Sequence, residues 1–194
     1  MYYHSVAHLD ISLDKIFQLW QSYQSEHLAK PLKNTVSVKI EDLEIFNDEQ
    51  WISSTILHPA TAFFGITPPN SKMPPHRDPS NHPEVIKLGY DYHPWALNIP
   101  LTTDLGSRMV WHRAKTGSQT KLNSASHSPY NNVRVPMADL EDLYEVASVT
   151  LDRPMLVNTF EWHSVTNDTD KTRLIFSMRF DKPTSMREAS LIFR

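Results

Sequence analysis

The stretch Arg173-Leu174-Ile175-Phe176-Ser177-Met178-Arg179-Phe180 constrains this chain more than any other. Successive side chains of an extended strand point to opposite faces, so Leu174, Phe176, Met178 and Phe180 share an apolar face and Arg173, Ile175, Ser177 and Arg179 the other. A surface strand would carry Lys, Glu and Thr on its polar face. Two arginines flanking Ile and Ser imply instead the wall of a polar cavity. Fourteen prolines against four glycines suit many short strands and stiff loops rather than long helices.

Ligand-type side chains fall in a pattern that fits such a cavity. In His76-Arg77-Asp78 the strand alternation puts His76 and Asp78 on one side, able to grip one ion, while Arg77 points away. A third ligand must come from a strand beside the first. His163 is the candidate: it follows the apolar run Met155 to Phe160 and precedes the turn formers Asn167 to Lys171, which predict a hairpin leading into the Arg173 strand. Two imidazoles and one carboxylate with open positions opposite form the 2-His-1-carboxylate face of non-haem Fe(II) oxygenases. Arg173 stands ten residues after His163 on the strand expected to pair with it, where it can hold a carboxylate bidentately within reach of the metal.

The ordered set His76-x-Asp78, His163 and Arg173 resembles the Fe(II)/2-oxoglutarate-dependent oxygenase superfamily, whose fold is a double-stranded β-helix, or jelly roll. Pro75-His76-Arg77-Asp78 is similar to the free-proline hydroxylases and the wider aspartyl/asparaginyl hydroxylase-like branch, and Trp95 to Leu101 fits a strand of that branch. The resemblance covers roughly residues 60 to 181. It implies that His76, Asp78 and His163 bind Fe(II), that Arg173 pairs with the distal carboxylate of 2-oxoglutarate, and that O₂ is consumed in hydroxylating an amino acid or an amino-acid residue. A carboxylate at 78, where related halogenases carry Gly or Ala, favours hydroxylation over halogenation. The gap of 85 positions from Asp78 to His163 exceeds that of compact members and leaves room for a substrate loop. Two rival readings stay open: a non-redox cupin-like metalloenzyme, an isomerase or lyase, which needs the three ligands but not Arg173, and a non-catalytic metal-binding module.

Composition narrows the partners. A chain of 194 residues suits one domain: residues 1–60 as buttressing helices and a strand, 61–181 as a jelly-roll core, and 182–194 as a tail. The net charge of −3, with no basic run, gives no field for nucleic acid or an anionic membrane, so a small-molecule or peptide substrate is expected. Without cysteine, disulfides, thiol nucleophiles and zinc-thiolate sites are excluded, and imidazoles are the nitrogen ligands on offer. The first residues lack the pattern of a signal peptide and no apolar run approaches ~18 residues, so a cytoplasmic location is expected.

Along the chain, Ser12 is a candidate cap for a helix from Leu13 to about His27 with Leu13, Ile16, Phe17, Trp20 and Tyr23 on one face. A strand over residues 35–40 and a helix over 48–57 follow, then a buried strand over 62–66. Residues 79–92 read as a loop or lid, with Tyr90, Tyr92 and His93 as candidate substrate contacts. Asn98 alternates away from Leu97 and Ile99, which makes its amide a candidate for bonding the cosubstrate. On the strand 108–113, Arg108, Val110 and His112 oppose Met109, Trp111 and Arg113, and alternation does not decide which face is inside. Arg108, His112 and Arg113 are therefore candidates for a substrate carboxylate. Arg179 is another, set against the reading that it reaches solvent at the strand end. Residues 117–132 read as a polar excursion, 138–146 as a short helix and 191–193 as a weak strand.

Overall fold

A computed structural model describes residues 1–6, 11–29, 35–47, 57–78, 95–102, 106–116, 138–180 and 185–193. In chain order the elements are β1 (Tyr3–Ser5), α1 (Leu13–Ala29), β2 (Thr35–Val38), a 3-10 helix (Ile40–Phe46), β3 (Pro59–Thr67), β4 (Ser71–His76), β5 (Ala96–Pro100) and β6 (Ser107–Ala114). A 3-10 turn (Leu140–Asp142), β7 (Leu143–Thr150), β8 (Met155–Val157), β9 (His163–Asn167), β10 (Arg173–Phe180) and α2 (Met186–Ile192) complete them.

The alternation of β10 is realised as read. Phe176, Met178 and Phe180 are buried in one large apolar cluster, whereas Arg173, Ile175, Ser177 and Arg179 line a cavity on the other side. Around β10 lies a six-stranded sheet in the order β1-β8-β5-β10-β3-β2, and a four-stranded sheet runs β4-β9-β6-β7. Every pairing is antiparallel. From β3 to β10 the chain changes sheet at each connection except that between β6 and β7. Two sheets wound in this way enclose a space between them that residues from both can reach.

Helices cover the outside of the larger sheet. The side chain of Ser12 caps α1 by accepting from the Lys15 amide at 3.4 Å. The buried stripe of α1 is Ile16, Leu19 and Tyr23, while Leu13 and Phe17 are exposed at 44% and 39%. The expected face is thus rotated, because the helix follows the aromatic row on the sheet: Trp20 and Tyr23 lie 4.9 and 6.4 Å from Phe64, ring centre to ring centre. Phe64 in turn meets Phe176 at 5.1 Å. Among the described residues no helix is long and apolar enough to cross a membrane.

Four local expectations change. The strand expected over 35–40 ends at Val38, and Ile40 begins a 3-10 helix that buries Leu43 and Phe46. Residues 138–146 hold a 3-10 turn and then β7, whose ladder to β6 runs from Leu143↔Ala114 to Thr150↔Arg108. A helix over 138–146 would set Leu140, Leu143 and Tyr144 in one apolar stripe, but only Leu143 is buried, with Leu140 and Tyr144 at 56% and 48% exposure. β-branched Val146, Val149 and Thr150 suit the pleated edge. The C-terminal segment is a helix rather than a strand: Ser185 accepts from the Glu188 amide while the Glu188 carboxylate accepts from the Ser185 amide, a capping box that starts α2.

The fourth change bears on the site. Residues 168–172 do not close a hairpin, for β9 pairs with β4 and β6 while β10 pairs with β3 and β5. The turn crosses from one sheet to the other. Asn167, fully buried, holds the crossing: its amide donates to the carbonyls of Thr67, Pro68 and Lys171 at 3.0, 2.9 and 2.7 Å, and its Oδ1 accepts from the Thr169 hydroxyl at 2.8 Å. One side chain therefore ties both sheets to the turn. The helix expected over 48–57 lies outside the described residues apart from Leu57, and the loop 79–92 and the excursion 117–132 also lie outside them.

Candidate metal centre

His76 ends β4 and His163 begins β9, and the register places them opposite one another. β4 is an edge strand, which tolerates Pro74 and Pro75 although neither has an amide to donate. The ladder slips between Met73 and His76. Asp78 follows the strand end, its amide donating to the Thr159 carbonyl at 3.2 Å. Arg77 turns the other way, its guanidinium carbon 4.9 Å from the centre of the Trp162 ring.

The three ligand-type groups converge. Asp78 Oδ1 lies 3.6 Å from His76 Nε2 and 3.7 Å from His163 Nε2, and the three donor atoms all fall within 4.8 Å of one another. Two donors each about 2.1 Å from a shared ion lie at most about 4.2 Å apart, so one ion can span the Asp78 pairs. His76 Nδ1 is 2.9 Å from the Pro74 carbonyl and His163 Nδ1 is 3.0 Å from the Glu161 carbonyl. A carbonyl only accepts, so Nδ1 is the nitrogen of each ring that carries a hydrogen there, which leaves Nε2 as the nitrogen facing Asp78 and open to a metal.

Protons are a poor answer to that arrangement of acceptors. Burial, with His76 nearby, pushes His163 down to about 3 against the opposing pull of Asp78. Burial alone would raise the Asp78 carboxyl, but the charge of Arg179 first, with the neighbouring imidazoles of His163 and His76 and the Arg179 hydrogen bond, outweighs it and holds the group below the usual carboxylate range. Acceptors meeting without hydrogens repel unless a cation joins them. The donor set thus fits a divalent ion of the kind bound by imidazole and carboxylate.

The wall of β10 supplies two guanidiniums. Arg173 is 4% exposed and its Nη2 has no partner among the described residues; burial lowers its pKa to about 10, with no acidic neighbour among the described residues to offset it. Arg179 is 1% exposed. It does not reach solvent at the strand end: Nη2 pairs with Asp78 Oδ2 and Nη1 donates to Ser177 Oγ at 2.6 Å. The Ser177 hydroxyl donates on to Asn98 Oδ1 at 2.6 Å. His76, Asp78, His163, Arg173, Asn98 and Arg179 all line one cavity of about 470 Å³, its open mouth included. The rest of its wall is largely apolar, with Phe63, Met109, Val165 and Ile175. At Gly65 a Cβ would stand 2.9 Å from Ile175 Cγ1, so a larger residue there would push Ile175 inward.

Other candidates lie elsewhere. Arg108 is on the outer face, 3.9 Å from Asp168. Arg113 is also exposed and sits beside Tyr2, which raises its pKa. His112 is buried, bonds Ser164 Oγ at 2.8 Å and is not part of the cavity wall. Strand alternation explains Arg108, since Met109, one residue on, is the β6 side chain that faces the cavity, and a register shift at Trp111/His112 interrupts the alternation before His112 and Arg113. Trp111 is core, its Nε1 donating to the Asn158 carbonyl at 2.7 Å. Tyr92, with Tyr90 and His93, lies outside the described residues. Two contributors escape sequence reasoning: Thr159, a loop residue in the cavity wall, and Asn167, which looks like any turn asparagine until both sheets are in place.

No protein-family model matches the chain and no curated protein matches its sequence. Solved structures do match in fold. SnoK, a non-heme alpha ketoglutarate dependent carbocyclase from nogalamycin biosynthesis, superposes with a TM-score of 0.52 at 14% identity over 97% of this chain and 85% of its own. EvdMO1 gives 0.51 at 11% identity over 94% of this chain, which spans 48% of EvdMO1. AviO1 from Streptomyces viridochromogenes Tue57 gives 0.50 at 10% identity over 95% of this chain and 91% of its own. With the strand order above, the fold is a mainly β double-stranded β-helix, or jelly roll, flanked by helices.

Proposed function

We propose that this chain is a non-haem Fe(II) oxygenase that uses 2-oxoglutarate and O₂ to hydroxylate an amino acid, free or within a peptide. One observation carries the reading: Arg173, a buried guanidinium without an acidic partner among the described residues, shares a cavity with three ligand-type side chains gathered round one point. An unpaired buried cation is unfavourable, and proteins keep such groups where a ligand brings the opposite charge. The planar fork of a guanidinium matches a carboxylate.

In this reading Nε2 of His76, Nε2 of His163 and Oδ1 of Asp78 hold Fe(II) and leave three positions open. Fe(II) and 2-oxoglutarate, when bound, supply an O₂ activation in which one oxygen atom enters a substrate C–H bond as an alcohol and the other enters succinate, with release of CO₂. Arg173 pins the far carboxylate of the cosubstrate, and the Asn98 amide donates to its near end. Phe63, Met109, Val165 and Ile175 keep water from the reacting atoms.

Asp78 fills the position that would have to be small for halogenation. The choice of an amino-acid substrate rests on the resemblance of Pro75-His76-Arg77-Asp78, and SnoK supports the reading by placing 2-oxoglutarate dependence on this fold. The absence of a basic field favours a small molecule or peptide over nucleic acid, and we place the activity in the cytoplasm.

The test is succinate formation from 2-oxoglutarate with Fe(II) under air, run against a panel of free amino acids and short peptides. Product is identified by the mass of one added oxygen atom. Succinate release stimulated by one panel member is the expected result. Protein that retains Fe(II) but forms no succinate in any arm would overturn the proposal.

A further inference from the structure

We propose that Arg179 is a positioning residue that keeps Asp78 a one-oxygen ligand, and so keeps three positions of the metal open. This rests on the metal reading above. The two oxygens of Asp78 are used differently: Oδ1 faces both histidine Nε2 atoms, and Oδ2 is taken by Arg179 Nη2. A carboxylate whose second oxygen is held by a fixed cationic donor is restrained from turning to chelate through both, because the turn would break that charge-assisted bond.

Arg179 is itself pinned. Its Nη1 donates to Ser177 Oγ at 2.6 Å, so the hydroxyl hydrogen must leave in another direction, and it points to Asn98 Oδ1 at 2.6 Å. The face of the guanidinium lies 5.3 Å from the centre of the Phe63 ring. These anchors come from β3, β5 and β10, adjacent strands of the larger sheet, while the histidines come from the smaller one. Asp78 is thus gripped from both sheets, one oxygen by each. A 2-oxoacid takes two positions and O₂ a third, so a carboxylate that chelated through both oxygens would remove one of them.

The experiment uses the full chain loaded with Co(II), which does not turn over, and oxalate as a two-toothed probe of the open positions. R179Q frees Oδ2. It is expected to bind Co(II) at least as tightly as the wild type, to change the visible Co(II) bands, and to take up oxalate about tenfold more weakly. R179K, which restores a cationic donor, should return bands and oxalate affinity toward wild type. A folded R179Q with wild-type bands and wild-type oxalate affinity would overturn the proposal, since loss of a merely structural contact would lower stability and leave both unmoved. Should R179Q not fold, S177A carries the test: removing the Nη1 anchor must weaken oxalate uptake in the same direction, and wild-type uptake overturns the proposal. If the wild type itself binds no Co(II), the metal reading falls; if it binds and R179Q matches it, only the role of Arg179 falls.

Discussion

Replacing Arg173 by Met should make the apoprotein more stable and the site useless. Arg173 is 4% exposed, and burial lowers its pKa by more than two from the ordinary guanidinium value, to about 10, with no compensating charge among the described residues. At 1.36 kcal/mol for each tenfold change in proton affinity, keeping that charge in the folded state costs on the order of 3 kcal/mol. The sign follows from linkage: the unfolded chain holds the proton more tightly, so the penalty is complete below pH 10 and is relieved only as pH rises through that value. Met keeps much of the aliphatic volume and carries no charge. Allowing for packing lost with the longer side chain, a net gain of about 2 kcal/mol is expected. That gain would raise the melting temperature by roughly 4–8 °C in a chain of this size. 2-Oxoglutarate, added anaerobically to the Fe(II)-loaded protein, should raise the melting temperature of the wild type and leave that of Arg173→Met at its Fe(II)-loaded value. Loss of a charge-assisted pair worth about 1.5–3 kcal/mol per hydrogen bond should weaken 2-oxoglutarate at least about a hundredfold. A less stable apoprotein in urea melts would refute the reasoning, because Arg173 would then be part of the scaffold.

Three further outcomes follow from the geometry. Burial of His163 as a neutral ring, with its pKa lowered to about 3, means that the unfolded chain takes up a proton the folded chain refuses. Metal-free protein should lose roughly 2 kcal/mol between pH 6.5 and 5, and a flat profile in urea melts would count against the assigned state. Asn167→Ala removes the three carbonyl contacts of a fully buried amide, so a loss of about 3 kcal/mol is expected by denaturant melts, and a loss under about 1 kcal/mol would show the crossing to be held otherwise. Ser185→Ala breaks the capping box of α2 and should cost about 1 kcal/mol, with the frayed helix visible as faster amide exchange over residues 186–192.

Much of the site could be read before the fold, because the relevant signals are local. Alternation along β10 depends only on strand geometry, and it placed Arg173 and Arg179 on the face that lines the cavity. The His76-x-Asp78 spacing rests on the same period. Local rules also misled where two of them competed. The apolar run Leu191-Ile192-Phe193 suggests a strand, yet the reciprocal bonds of Ser185 and Glu188 start a helix at Met186, before that run is reached. At 138–146 an apparent helical stripe yielded to the β6 ladder, because a ladder partner lies outside any local window.

What the amino-acid order determined by itself, then, was periodicity: which side chains share a face of β10, which ligand types stand two apart, and that no thiol chemistry is available. Tertiary structure alone decided pairing. It sent the turn after Asn167 across to the opposite sheet, so that Arg173 faces the cavity from the strand between β3 and β5 rather than from beside His163. It also took Arg179 from the strand end to Asp78, 101 positions away in the chain. The reason is physical. Alternation is a property of one strand's backbone, whereas a sheet crossing or a buried ion pair is selected by the burial and hydrogen bonding of groups far apart in the chain.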